Sequence, residues 1–203
     1  SSSGTDTYSA ISAAIGSLKG PRHGGANIKV KHMMDELLAN IKDLTDEEEI
    51  ADYLGKIITK DAGDGSGLIY GFGHAIYTLS DPRAKILKKN AKKLSAEKGM
   101  TDIYEFYKRV EKLVPSVFEN VKGSKKVICA NVDFYSGFVY DMLGIESDLF
   151  TPLFAVSRIA GWCAHRIEEI TYGGRIIRPA YRSMVKSTGY VPLDLSLIHI
   201  SEP

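Results

Sequence analysis

Cysteine is nearly absent. Cys129 and Cys163 are the only two in 203 residues. Standing far apart, they exclude a disulfide framework and a paired-cysteine zinc site. Both read as small buried hydrophobes. An excess of one charge is missing too. Lysine plus arginine number 26 and aspartate plus glutamate 25, for a net charge of +1. Nucleic acid held by bulk charge is therefore not an expected partner. No apolar run reaches the ~18 residues that a membrane span needs, so no membrane partner is expected either. The chain opens on small residues, Ser1 to Gly4, without the charged and apolar pattern of a secretory signal. The expected compartment is cytoplasmic and reducing. Strand-like alternation is scarce, with one faint hint at Lys125–Cys129 (KKVIC).

What the chain has is helical periodicity. Hydrophobic residues make up 44% and charged residues 25%, a globular balance with enough apolar matter for a sizeable core. Tyr8, Ile11, Ile15 and Leu18 recur at helical spacing. Ile28, Met33, Met34, Leu37, Leu38 and Ile41 mark a second helix, with Asn27 as its candidate cap. Thr45 and Glu48 have capping-box spacing ahead of Ile50, Leu54, Ile57 and Ile58. Asp61–Gly67 (DAGDGSG) reads as a loop. Ser80-Asp81-Pro82 starts a lysine-rich helix running to about Glu97, whose lysines form a solvated face. Another pattern covers Ile103 to Val114, and Pro115 is expected to bend or end it. Phe134, Phe138, Val139 and Met142 suggest a further helix closed by Gly144. The longest covers Thr151–Ile170, with an apolar stripe broad enough to predict burial on more than one side. The fold class is all-α. Residues 196–203 (SLIHISEP) carry no period and read as a non-native tail.

Four segments join chemically capable residues to glycine or proline. In GPRHGGAN, His23 stands between glycines just before a helix, whose N-terminal field favours a neutral, donating imidazole. A packed turn is the alternative, and one isolated motif favours that. In GFGHAIYTLSDPRA, His74 sits in a glycine-rich loop nine residues ahead of Arg83. A neutral histidine beside an arginine suits a ketone that carries a carboxylate. A loop histidine with a surface arginine is equally compatible. In NVDFYSG, Asp133 is either a helix cap or a desolvated general base. Arg158 interrupts the apolar stripe of the long helix, and Arg175 and Arg178 follow it. An arginine there needs an anionic partner, a structural salt bridge or a ligand.

In combination and order these strings, continued by SRIAGWCAHRIEE and RIIRPAY, closely resemble the C-terminal half of citrate synthase. The resemblance spans Ser1 to about Leu195. It implies an all-α homodimer that condenses acetyl-CoA with oxaloacetate and hydrolyses the citryl-CoA formed. It identifies His23 with the histidine on the acetyl thioester oxygen, Asp133 with the base, and His74 with the histidine that polarises the ketone. Arg83, Arg158 and Arg178 match the arginines that hold oxaloacetate carboxylates, the last reaching in from the partner subunit. Gly71, Phe72, Gly73, Ala75 and Lys125 fall where the family contacts CoA, which is a co-substrate. No metal or other cofactor is implied. The nearest alternative is 2-methylcitrate synthase, which uses propionyl-CoA. Another is an inactive truncated fragment.

Three departures stand out. The family's further oxaloacetate histidine, in a His-Glu-Leu motif, has no counterpart, since His32, His165 and His199 lie in other contexts. Ala75 stands where many members have arginine, and Ala180 replaces the second arginine of an Arg-Pro-Arg string. The implied organisation is a large-domain piece over 1–24, the small domain over 25–145, and a large-domain C-terminal piece over 146–195.

Overall fold

The computed structural model describes residues 1–20, 23–77, 79–123 and 127–180, with Met184, Tyr190 and Pro192. Among them are seven α-helices and one short 3-10 turn at Ser147–Leu149, and no named strand. The helices are α1 (Thr7–Leu18), α2 (Ala26–Asn40), α3 (Glu47–Thr59), α4 (Pro82–Glu97), α5 (Thr101–Lys122), α6 (Val132–Met142) and α7 (Phe150–Tyr172). None is long and apolar enough to cross a membrane. The tail at 196–203 lies outside the described residues.

Local chemistry sets most helix starts. Asp6 accepts from the Ser9 N–H at the head of α1. Asp81 caps α4 and Pro82 opens it, where a missing N–H costs nothing. The start of α3 falls one residue later than Thr45 and Glu48 suggest. Asp46 is the cap, accepting from the N–H groups of Glu48 and Glu49, while Thr45 turns back to Asp43. The Glu49 carboxylate accepts from the Lys42 and Asp43 amides and so ties α3 to the preceding loop. Asn27 is not the cap of α2. Gly25 holds that position without a side-chain bond, and Asn27 lies inside the first turn. Pro115 does not end α5, which continues to Lys122. Val114 and Val117, both buried, hold the helix on either side of it.

Helices α2 to α6 share one apolar core. Met34, Leu37, Ile50, Leu54, Phe106, Val110, Phe134 and Tyr135 are completely buried in it. Tyr107 stacks on Phe138 at 4.7 Å. Helices α1 and α7 stand apart from that core and pack on each other. Here the expectation for the long helix fails, because only Phe150 of α7 is fully buried. Val156, Ile167 and Ile170 are exposed by 59% or more. A broad apolar stripe specifies a helix, but burial also needs a facing element, and none of the described residues covers this face. The strand hint fails as well. Val127–Cys129 form no strand, and the only pairing nearby is a single antiparallel bridge between Phe72 and Ala130. Neither cysteine is fully buried.

Candidate active site

The seam between the α2–α6 core and α7 carries the chemistry. Just beyond α1, the His23 and Gly24 amides both donate to the Gly20 carbonyl. Gly24 is wedged there. A Cβ at this position would lie 2.2 Å from the Leu18 carbonyl oxygen and 2.9 Å from the Thr151 methyl. The Gly24 carbonyl in turn accepts the Thr151 hydroxyl at the start of α7. This lock sets the His23 ring against Phe154, edge to face at 5.7 Å. The guanidinium of Arg158, one turn further along α7, lies over the same phenyl ring at 5.0 Å. No described carboxylate pairs with Arg158. Among the described residues it therefore forms no salt bridge.

Asn131 joins the second and third segments. Its Oδ1 accepts from the Asp133 N–H at 3.0 Å, which caps α6. Its Nδ2 donates to the Gly73 carbonyl at 3.1 Å, and its own N–H donates to Gly71 at 2.8 Å. Asp133 is thus inside the first turn and free of the capping task that the sequence left open. Gly71 sits at φ +81°, and a Cβ there would approach Phe134 Cβ to 2.9 Å. Only glycine brings the His74 loop this close to α6.

The His74 ring is oriented by backbone. Its Nδ1 accepts from the Ile76 and Tyr77 amides at 3.0 and 3.1 Å. In the neutral ring the hydrogen then belongs to Nε2, which becomes a donor. A terminal nitrogen of Arg83 stands 3.4 Å from that Nε2. Two donors so close, with no acceptor between them, mark a place for an oxygen-rich group. Arg83 is aimed by Asp81, whose carboxylate accepts from Nε at 3.1 Å, from the terminal nitrogen at 2.9 Å and from the Arg83 amide at 2.9 Å. The Asp81 side chain is fully buried. Burial alone would raise its pKa, but the bonds from Arg83 win and hold it below the usual carboxylate value.

Asp133 shows the opposite balance. It is half-buried, and desolvation pushes its carboxyl above the ordinary value. The charge of Arg83, and then that of His23, pull it back only in part. No hydrogen bond to the carboxylate contributes. A carboxylate that is raised and unbonded is poised to accept a proton.

His23, His74, Arg83, Asp133 and Arg158 line one cavity of about 320 Å³, with Gly24, Asn27, Asn131, Val132 and Phe154. This size suits a small-molecule site. Arg178 is not among them and stands exposed beyond α7. Gly71 is buried and Phe72 packs on Phe134 at 4.8 Å, so both serve the core. Gly73 and Ala75 lie on the open side of the loop, and Lys125 lies outside the described residues. Sequence reading missed Asp81 beyond its capping role, and it missed Asn27, Asn131 and Phe154 as cavity walls. Spacing alone carried no signal for Phe154, because its role depends on two residues brought in from other segments.

An all-helical chain with this cavity has the makings of an acid–base enzyme for carboxylate-bearing carbonyl compounds. The comparisons give that class a family. The model of the citrate synthase C-terminal domain matches residues 1–180. Citrate synthase 2 of Bacillus subtilis is 43% identical over 86% of this chain and 41% of its own length. The citrate synthase of Synechocystis is 38% identical over 97% of this chain and 45% of its own. A 2-methylcitrate synthase of Shewanella oneidensis is 40% identical over 87% and 41%. Among solved structures, Thermoplasma acidophilum citrate synthase, in ternary complex with carboxymethyl coenzyme A and oxaloacetate, superposes with a TM-score of 0.71. It shares 35% identity over 96% of this chain and 48% of that one. The chain belongs to the citrate synthase family. It spans less than half the length of these relatives.

Proposed function

We propose that the protein condenses acetyl-CoA with oxaloacetate to give citrate and CoA. The observation that carries this reading is the shared cavity, which gathers one carboxylate, two imidazoles and two guanidiniums from four separate segments. Asp133 takes a proton from the thioester methyl. The electron pair moves toward the thioester oxygen, which His23 holds, because a carboxylate alone cannot deprotonate so weak an acid. The methyl carbon then attacks the ketone carbon of oxaloacetate. His74 Nε2–H meets the developing alkoxide, and Arg83 and Arg158 hold the carboxylates. Water finally cleaves the thioester and releases the CoA thiol. CoA is a co-substrate lying along Gly73 and Ala75, on the open side of the loop, and no metal or redox group enters any step. Arg178, exposed beyond α7, serves the cavity of a partner subunit in a homodimer. Residues 25–145 form the small domain, a reading supported by the apolar core, which lies between Val30 and Met142.

Release of free thiol from acetyl-CoA plus oxaloacetate tests the reading. Asp133→Ala is expected to abolish it while the helical fold survives. A variant of normal rate contradicts the assignment of the base. The 2-methylcitrate synthase relatives at 38–40% identity favour a second reading with propionyl-CoA as donor. One methylene is worth only about 1–3 kcal/mol in an apolar pocket. The ratio of kcat/KM for acetyl-CoA and propionyl-CoA decides between the two.

A further inference from the structure

One side chain fixes the backbone that carries His74. Gly73, the residue before it, has φ +85° and nothing within 4 Å of where a Cβ would stand. Packing therefore does not set the peptide that joins Gly73 to His74, and glycine itself resists little rotation. Ala75, Ile76 and Tyr77, which follow, are exposed. Hydrogen bonds hold the segment instead. The Gly73 N–H donates to the Cys129 carbonyl at 2.9 Å. The Gly73 carbonyl accepts from Asn131 Nδ2 at 3.1 Å, its only hydrogen bond among the described residues. That carbonyl belongs to the peptide leading into His74, so Asn131 sets the plane of that peptide.

Capping does not explain the choice of residue. The cap uses Oδ1 alone, which accepts from the Asp133 amide, and serine, threonine or aspartate caps as well. What asparagine adds is a donor on its other arm. Both partners are backbone groups of fixed role, an N–H and a carbonyl, so the side-chain amide can stand only one way round. We propose that Asn131 is a positioning residue for ketone activation, its Nδ2 holding the Gly73–His74 peptide so that the His74 imidazole faces the cavity that Asp133 lines. This rests on the reading of His74 as the donor to the ketone, and it gives a task to a residue outside that reading. Arg83 needs no such help, since Asp81 aims it. The effect therefore falls on the ketone and not on the hold on the carboxylates.

The test compares Asn131→Ser and Asn131→Asp with the unsubstituted protein. Both keep a cap acceptor and lose the amide donor, and aspartate also turns an acceptor oxygen toward the Gly73 carbonyl. The direct readout is the infrared carbonyl stretch of bound oxaloacetate, which drops as the ketone is polarised. In the unsubstituted protein it lies below the stretch of free oxaloacetate. In both variants it is expected to return toward the free value. The kcat for thiol release falls about 100-fold, the scale of loss when a reacting group is misplaced by about an ångström. Calorimetric affinity for oxaloacetate falls only about fivefold, the worth of one neutral hydrogen bond. Helical content by circular dichroism is unchanged, because the cap is kept. Folded variants that keep the lowered stretch overturn the inference and leave Asn131 a cap alone. So does loss of the helical signal in both, which would make the residue structural. If the unsubstituted protein does not lower the stretch, the reading of His74 fails and the inference falls with it.

Discussion

The α2–α6 core and the α1–α7 pair are built from equally helical sequence and end in opposite states. In the core, Ile50, Leu54, Phe106 and Val110 lose all contact with water. On α7, Val156, Ile167 and Ile170 keep more than half of theirs. The same spacing rule wrote both stripes. What differs is the number of elements converging on each: five helices share the first core, and among the described residues α7 packs mainly on α1, with a smaller contact to α2. The cavity lies where these regions meet. Asp133 and His74 come from the core side, and Phe154 and Arg158 from α7. Gly24 pins His23 across the boundary.

This contrast predicts a graded response. Phe106→Ala is expected to cost about 3–5 kcal/mol in denaturant unfolding, because the surrounding helices cannot collapse onto the void. A loss under about 1 kcal/mol would mean that the core is loosely packed. Gly24→Ala is expected to cost about 1–3 kcal/mol, since its Cβ meets backbone that cannot yield. It also frees His23 from Phe154, so thiol release falls more steeply than stability.

Asp133→Asn is expected to stabilise the fold at neutral pH. The folded pKa of Asp133 lies above its unfolded value, so the native state holds the extra proton between the two. Its contribution to stability is greatest below the unfolded pKa and declines as pH rises through the folded one. Asparagine removes that decline. The gain in thermal midpoint therefore grows from about pH 4 upward and levels off above the folded pKa. A gain confined to acid would reverse the sign. Smallest are the surface changes. Ile167→Ala should move stability by about 0.5 kcal/mol or less. Asp64→Asn should cost less than about 1 kcal/mol, although its carboxylate accepts from both Tyr70 and Lys29. That pair is partly solvated and screened. A large loss from either would break the contrast.

Sequence carried the helices well because helix spacing and caps are local. Pro82 and Glu97 bound α4 where Asp81-Pro82 and the lysine pattern place it. The long helix found at Phe150–Tyr172 matches the stripe read over 151–170. Errors gathered where distant contacts decide. Thr45 lost the cap to Asp46, whose side chain reaches two amides at once. The exposure of α7 depends on a facing surface that no periodicity encodes. In the site, the histidines and Asp133 were visible as polar residues set among glycines. The aim of Arg83 was not, because it depends on Asp81 being buried. Nor was the task of Asn131, which caps α6 through the Asp133 amide and ties itself to the His74 loop through two further bonds, to Gly71 and Gly73.

The convergence of His23 and Asp133 on one acetyl group is tested most directly by a double-mutant cycle on methyl exchange. His23→Ala, Asp133→Ala and the double variant would be compared with the unsubstituted protein. Groups acting on the same proton transfer are not additive, so the double variant should exchange no more slowly than the worse single one. Losses that multiply across the two changes would show two independent sites and contradict the account.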